Sequence, residues 1–170
     1  MRTDMRLIIV VILLFTFYFS LCTSSGAEIY DRVIAFVNDQ AITLSEFQAQ
    51  FNNTKKLTPD TTEDEVLNTM INRLLLLREA KKYSIEAPSR DEMLNEYIDL
   101  KLRAFIRVGE KDIEEFYAAN EDKFRGKGYE DSREEIEQYL TEKDLNVKLK
   151  EMLKELRKNA YIRTQLKPDK

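Results

Sequence analysis

Four times along this chain a Ser or Thr is followed three residues later by Glu, each time ahead of a stretch with helical apolar spacing: Thr43 and Glu46, Thr62 and Glu65, Ser89 and Glu92, Ser132 and Glu135. In such a pair the hydroxyl accepts a hydrogen bond from an early helix N–H, while the Glu side chain accepts one from the N–H of the cap residue. Pro59, Pro88, Gly109, Gly126, Gly128 and Pro168 fall between the apolar stretches, where residues that break helices belong. The pattern therefore commits the chain to a series of helices with short breaks. The fold class it predicts is mostly α.

The spacing predicts a short helix through Phe47 and Phe51, followed by a polar linker from Asn52 to Pro59. A second helix, over about 63–83, carries Leu67, Met70, Ile71, Leu74, Leu75 and Leu77 on a face too wide for a one-sided stripe, so it should be central and covered by neighbours. A third, over about 90–107, presents Leu94, Tyr97, Ile98, Leu102, Phe105 and Ile106; a short fourth, over about 111–120, presents Ile113, Phe116 and Tyr117. From Ser132 to Lys158 the apolar residues fit one long helix or two joined near Asp144. Seven basic residues against three acidic over 143–163 suit the negative end of a helix dipole. Two stretches differ in kind. Asp31 to Val37 is β-branched and nearly all apolar, as in a strand buried on both faces, and ends at the turn residues Asn38 and Asp39. Ala41 to Thr43 can return as a brief second strand, and Ala160 to Thr164 reads as a last one.

The N-terminus has its own logic. Arg2 and Arg6 precede an apolar run that gives way to small residues ending at Gly26 and Ala27, the layout of a secretory signal peptide. Cleavage is predicted after Ala27, with Gly26 as the neighbouring choice. The alternatives are a retained membrane anchor and a lipidated Cys22. Leu7 to Cys22 spans only 16 residues, against the roughly 20 that cross a bilayer, and Cys22 follows Leu21 rather than a small residue. Residues 1–27 are thus read as the signal peptide and 28–170 as a single domain.

Composition then removes most kinds of chemistry. With no His the chain has no His-based triad, general base or zinc site, and with one Cys it has no internal disulfide. Four Gly supply no phosphate-cradling loop. The chain after cleavage has 25 basic and 30 acidic residues, and no basic patch interleaved with aromatics, which argues against nucleic acid. Carboxylate pairs such as Glu114–Glu115, Glu134–Glu135 and Asp64–Glu65 suit solvated first turns better than acid–base catalysis. Asp60, Glu63, Asp64 and Glu65 lack the Gly-punctuated loop of a calcium site. No catalytic residue, cofactor or metal ligand is assigned.

The aromatics remain. Nine Phe and eight Tyr, with no Trp, suit a packing-rich interior. A subset can instead line an apolar groove for polypeptide. The candidates for polypeptide binding are Phe47, Phe51, Met70, Leu74, Tyr97, Phe105, Phe116 and Tyr117.

Read in order, the motifs resemble the SurA family of periplasmic chaperones and related parvulin-type foldases. Ile29 to Phe47, with its D-x-V-x-A-x-V-N pattern from Asp31 to Asn38, looks like the family opening. Val66 to Ala80 resembles the long second helix, Gly109 to Phe124 the helix that leads into the isomerase domain, and Leu153 to Ile162 the closing helix and strand. The resemblance implies a helical module, similar to the SurA N-terminal domain, whose small β element joins the N- and C-terminal segments. It divides the chain into an N-terminal core, 28–124, a linker, 125–131, where relatives carry a parvulin domain, and a completing helix and strand, 132–170. Arg125 to Gly128 leaves no room for such a domain, and the His residues of a parvulin site are absent; the stretch 84–108 is also shorter than its counterparts.

What the resemblance implies is a periplasmic, ATP-independent chaperone-like module without prolyl isomerase activity, whose partners are unfolded or β-barrel-destined polypeptides. The alternative is a dedicated assembly subunit of an envelope complex, dimeric or anchored in the inner membrane by a retained N-terminal segment.

Overall fold

The computed structural model describes residues 31–124 and 126–165; the stretch read as a signal peptide lies outside them. Strand β1 (Val33–Val37) turns at Asn38 and Asp39 into β2 (Gln40–Thr43), which runs directly into helix α1 (Leu44–Leu57). Helices α2 (Glu63–Lys82), α3 (Arg90–Lys101) and α4 (Glu110–Ala119) follow, then α5 (Tyr129–Lys158) and strand β3 (Ile162–Thr164). Single 3-10 turns cover Arg103–Phe105 and Glu121–Phe124.

The sheet is antiparallel with order β2-β1-β3, so the strand expected near the end of the chain does pair with the first. Asn38 makes this closure local and specific. It adopts a left-handed φ of 55°, a conformation that Asn tolerates better than most residues. Its N–H donates to the Tyr161 carbonyl at 2.7 Å, and its side-chain oxygen accepts from the Tyr161 N–H at 3.0 Å. One residue thus satisfies the backbone of a segment 123 positions away. A bulge between Val33 and Ala35 lets Ile34 and Ala35 both bury completely.

The core is continuous along α2. Ile34, Val37, Ile42 and Phe47 meet Val66, Leu67, Ile71 and Leu75 beside the sheet. Further along, Leu76, Leu77 and Ala80 meet Ile85, Leu94 and Tyr97, with Leu149, Met152 and Leu153 of α5 packed against them. The wide apolar face of α2 is covered at Leu67, Ile71, Leu75 and Leu77, while Met70 and Leu74 stay half-buried. Arg157 fastens α5 to α2 by donating to Asn72 Oδ1 at 2.6 Å and to Asn68 Oδ1 at 2.7 Å.

Three boundaries differ from the sequence reading. Helix α1 continues through Asn52 to Leu57 instead of ending in a linker, because Lys55 and Lys56 favour its last turn and the Thr58 N–H still donates to Thr54 O. The break comes at Thr58, whose extended φ of −134° is what a residue before proline adopts. Helix α3 stops at Lys101, since Leu102 leaves helical geometry to pack on Leu145 and Ile106. Of the two readings left open for the last helix, the single one is found, about 45 Å long at 1.5 Å per residue. Ser132 is not its cap. It lies fully buried inside α5, its hydroxyl donating back to the Gly128 carbonyl at 3.0 Å, and Gly128 takes the cap position. Thr43 and Thr62 make complete capping boxes, and Ser89 caps α3.

Candidate functional site

A groove of about 650 Å³ opens between β2, α1 and α2. Two helical stripes face it. On α1 these are Glu46, Ala49, Gln50, Asn53 and Thr54; on α2 they are Val66, Thr69, Met70, Arg73, Leu74 and Leu77. Both repeat at three- and four-residue steps, the spacing that keeps side chains on one helix face. Gln40, Ala41 and Ile42 of β2 form the third wall. The groove has an aliphatic floor around Met70 and Leu74, with amides and hydroxyls along the α1 side.

The charges are fixed by the same elements that end the helices. Glu46 accepts from the Thr43 N–H at 3.1 Å, and Glu65 from the Thr62 N–H at 2.9 Å. That backbone N–H, then the Thr62 hydroxyl, hold the Glu65 carboxyl below its ordinary range. Arg73 lies further along α2 and is paired with Asp91 at the start of α3. Such a lining can hold an extended chain by van der Waals contact and by hydrogen bonds to its peptide groups. It offers no nucleophile with an adjacent base, and among the described residues no cluster of three metal-ligating acidic or Cys side chains occurs.

The eight sequence candidates do not come together. Met70 and Leu74 line the groove. Phe51 packs on the core beneath it and stacks on Phe47 with centroids 5.9 Å apart. Phe47 and Tyr97, only 2% and 3% exposed, are core residues in two different clusters. Burial raises the Tyr97 hydroxyl pKa, with Glu79 adding to the effect. Phe105 is 71% exposed on the 3-10 turn after α3.

Phe116 and Tyr117 sit on α4, in a separate cluster at the far end of α5. There Phe116 meets Phe124 and Tyr139, while Tyr117 stacks on Phe124 and sets its edge against Tyr129. The same end carries a polar clamp. Arg133 donates to both oxygens of Glu110, at 2.6 Å from Nη2, and the Tyr129 hydroxyl donates to Glu110 at 2.5 Å. Arg133, then Tyr129, lower the Glu110 carboxyl to about 2, and the bond to Glu110 raises the Tyr129 hydroxyl to about 12.

A search for apolar and aromatic residues overlooked Gln40, Glu46, Gln50, Asn53, Thr69 and Arg73 because these are polar. Their signal was positional: a polar stripe on α1 that repeats at the same steps as the mixed stripe on α2.

Comparison with curated proteins found no match. A family model described as the SurA-like N-terminal domain matches residues 1–131, from the N-terminus to the first turn of α5. The mostly helical module with its small closing sheet agrees with that match, and the chain belongs to the SurA-like N-terminal domain family.

Proposed function

We propose that this chain is an exported, ATP-independent chaperone-like module of the periplasm that binds unfolded or outer-membrane-destined polypeptides without isomerising their prolines. The observation that carries this reading is the groove: its aliphatic floor at Met70 and Leu74 lies beside a row of amides and hydroxyls. A surface of that kind accepts many sequences, because it reads backbone and generic apolar bulk rather than one shape. Membership of the SurA-like family supports a chaperone role, and a sequence with no His supports one without parvulin chemistry. No cofactor is required. Membrane attachment follows only if the N-terminal segment is retained; among the described residues no helix is long and apolar enough to cross a membrane.

The test is aggregation of an unfolded outer-membrane β-barrel protein, followed by light scattering, with a folded soluble protein as the binding control. Near-stoichiometric protein should suppress scattering and ignore the folded control, and Leu74→Lys should weaken the suppression several-fold. No protection of any unfolded client would sink the holdase reading in favour of a single dedicated assembly partner.

A further inference from the structure

One wall of the groove is backbone. In the hairpin Val37 pairs with Gln40, Phe36 with Ala41 and Ala35 with Ile42. Antiparallel neighbours alternate between bonded and non-bonded pairs. The even-numbered residues of this segment turn toward β3: the Asn38 N–H donates to Tyr161, and the Ile34 carbonyl accepts from the Gln165 N–H at 2.6 Å. Residues 35 and 37 therefore bond β2, where Ile42 and Gln40 answer them. Ala41 turns its own N–H and C=O outward. It is exposed, and it lies on the groove wall. Beyond it the edge is closed, because the Thr43 N–H is taken by Glu46.

The dimensions and charges of the groove agree with a strand on that edge. From Glu65 to Leu77 the α2 wall is about 18 Å long, which accommodates five or six extended residues at roughly 3.3 Å each. Arg78 approaches Asp39 at 4.0 Å, so β2 starts beside the C-terminal half of α2 and the two run in opposite directions. Glu46, which accepts from the Thr43 N–H where β2 ends, accordingly marks the opposite end of the strand edge. Past Gln40, where β2 begins, an adjoining hollow is lined by Arg78, Lys81 and Lys82 against the single carboxylate of Asp39, a net basic surface. A strand antiparallel to β2 would enter at the acidic end and leave at the basic one.

We propose that a client segment binds as an added antiparallel strand on the free edge of β2, centred on Ala41. The segment is extended, with alternate apolar side chains on Met70 and Leu74, a basic residue on its N-terminal side and an acidic residue on its C-terminal side. This rests on the client-binding reading above and specifies what is bound and in which direction.

The probe is a blocked octapeptide: lysine, three valine–threonine repeats, aspartate. On saturation, hydrogen exchange at the Ala41 amide should slow by about tenfold or more, the loss expected when an exposed N–H becomes bonded. N-methylating the central peptide residues should weaken binding by about tenfold, on unmodified protein, through loss of the edge hydrogen bonds. Reversing the order, with aspartate first, should weaken it about threefold at low salt. Ala41→Pro should retain the fold, since that N–H serves no bond within it, and should lose the peptide.

Peptide binding with no change at Ala41 and no response to N-methylation would overturn strand addition. So would protection of a β-barrel client by a protein that ignores the peptide; in both cases the holdase reading stands. Failure with peptide and client alike would remove both. Protection of Ala41 that grows with protein concentration, without peptide, would assign the edge to a second copy and likewise overturn the proposal.

Discussion

The two ends of α5 are held by different physics. From Leu145 to Leu156 the helix is packed against side chains of α2 and α3 and the segment that follows them, in clusters that are continuous with the sheet-side core. At its other end it meets α4 through a set of ring contacts and the exposed clamp of Arg133, Tyr129 and Glu110, with Ile113 on α4 and Ile136 on α5 each buried. The first arrangement is non-local and mainly apolar, with the Arg157 bonds to Asn68 and Asn72 beside it; the second joins residues about 20 positions apart through rings and charge. One helix therefore belongs to two units of unequal strength. The α4 end can loosen while the sheet end holds, and the reverse should not occur.

The largest effect that tests this contrast comes from deleting residues 159–170. The deletion removes β3, both Asn38–Tyr161 bonds, and the packing of Ala160 and Ile162 on the core. Expected is a loss of more than about 3 kcal/mol, read as a fall in melting temperature of about 10 °C or more with the two ends melting together. An unchanged melting temperature would show that the sheet does not close the module.

Ile136→Ala comes next, at about 2–4 kcal/mol for a buried aliphatic truncation. Here amide exchange over 110–139 should accelerate while β1 and α2 keep their protection; uniform acceleration would refute the division into two units.

The smallest effect is pH dependence at the α4 end. Because the Glu110 pKa is depressed to about 2 from an ordinary 4.5, its contribution is present above pH 4.5 and is lost as pH falls toward 2. The Tyr129 pKa is raised from 10 to about 12, so its contribution is present below pH 10 and is lost as pH rises through 12. Tyrosine fluorescence between pH 5 and 2 should report loosening of this end, abolished in Glu110→Gln and weakened by salt. Identical profiles for the two proteins would exclude the clamp.

The frame was legible because its signals are local. Thr43 and Thr62 advertise their helices within four residues, and the apolar run before Asn38 advertises a buried strand. Ser132 misled because Ser-x-x-Glu occurs as readily inside a helix, where the hydroxyl returns to the carbonyl four residues back. The stretch 52–57 lacked apolar periodicity, so α1 looked shorter than it is. The groove was harder for a deeper reason. Large aromatics such as Phe47 and Tyr97 are the residues a small domain most needs inside, whereas an open surface can be built from Gln, Asn and Thr, which a search for apolar pattern passes over. Only Met70 and Leu74 satisfied both demands.

The bond between Asn38 and Tyr161 also has a consequence in time. The first turn residue of the hairpin and its partner enter the growing chain more than a hundred residues apart, several seconds at ordinary rates of synthesis. Throughout that interval β1 has no β3 to pair with, and closing so long a loop is among the slower steps available to a small domain. The module is therefore finished from its far end. Until Tyr161 arrives, one side of β1 stays unpaired, and the last strand acts as the catch that closes it.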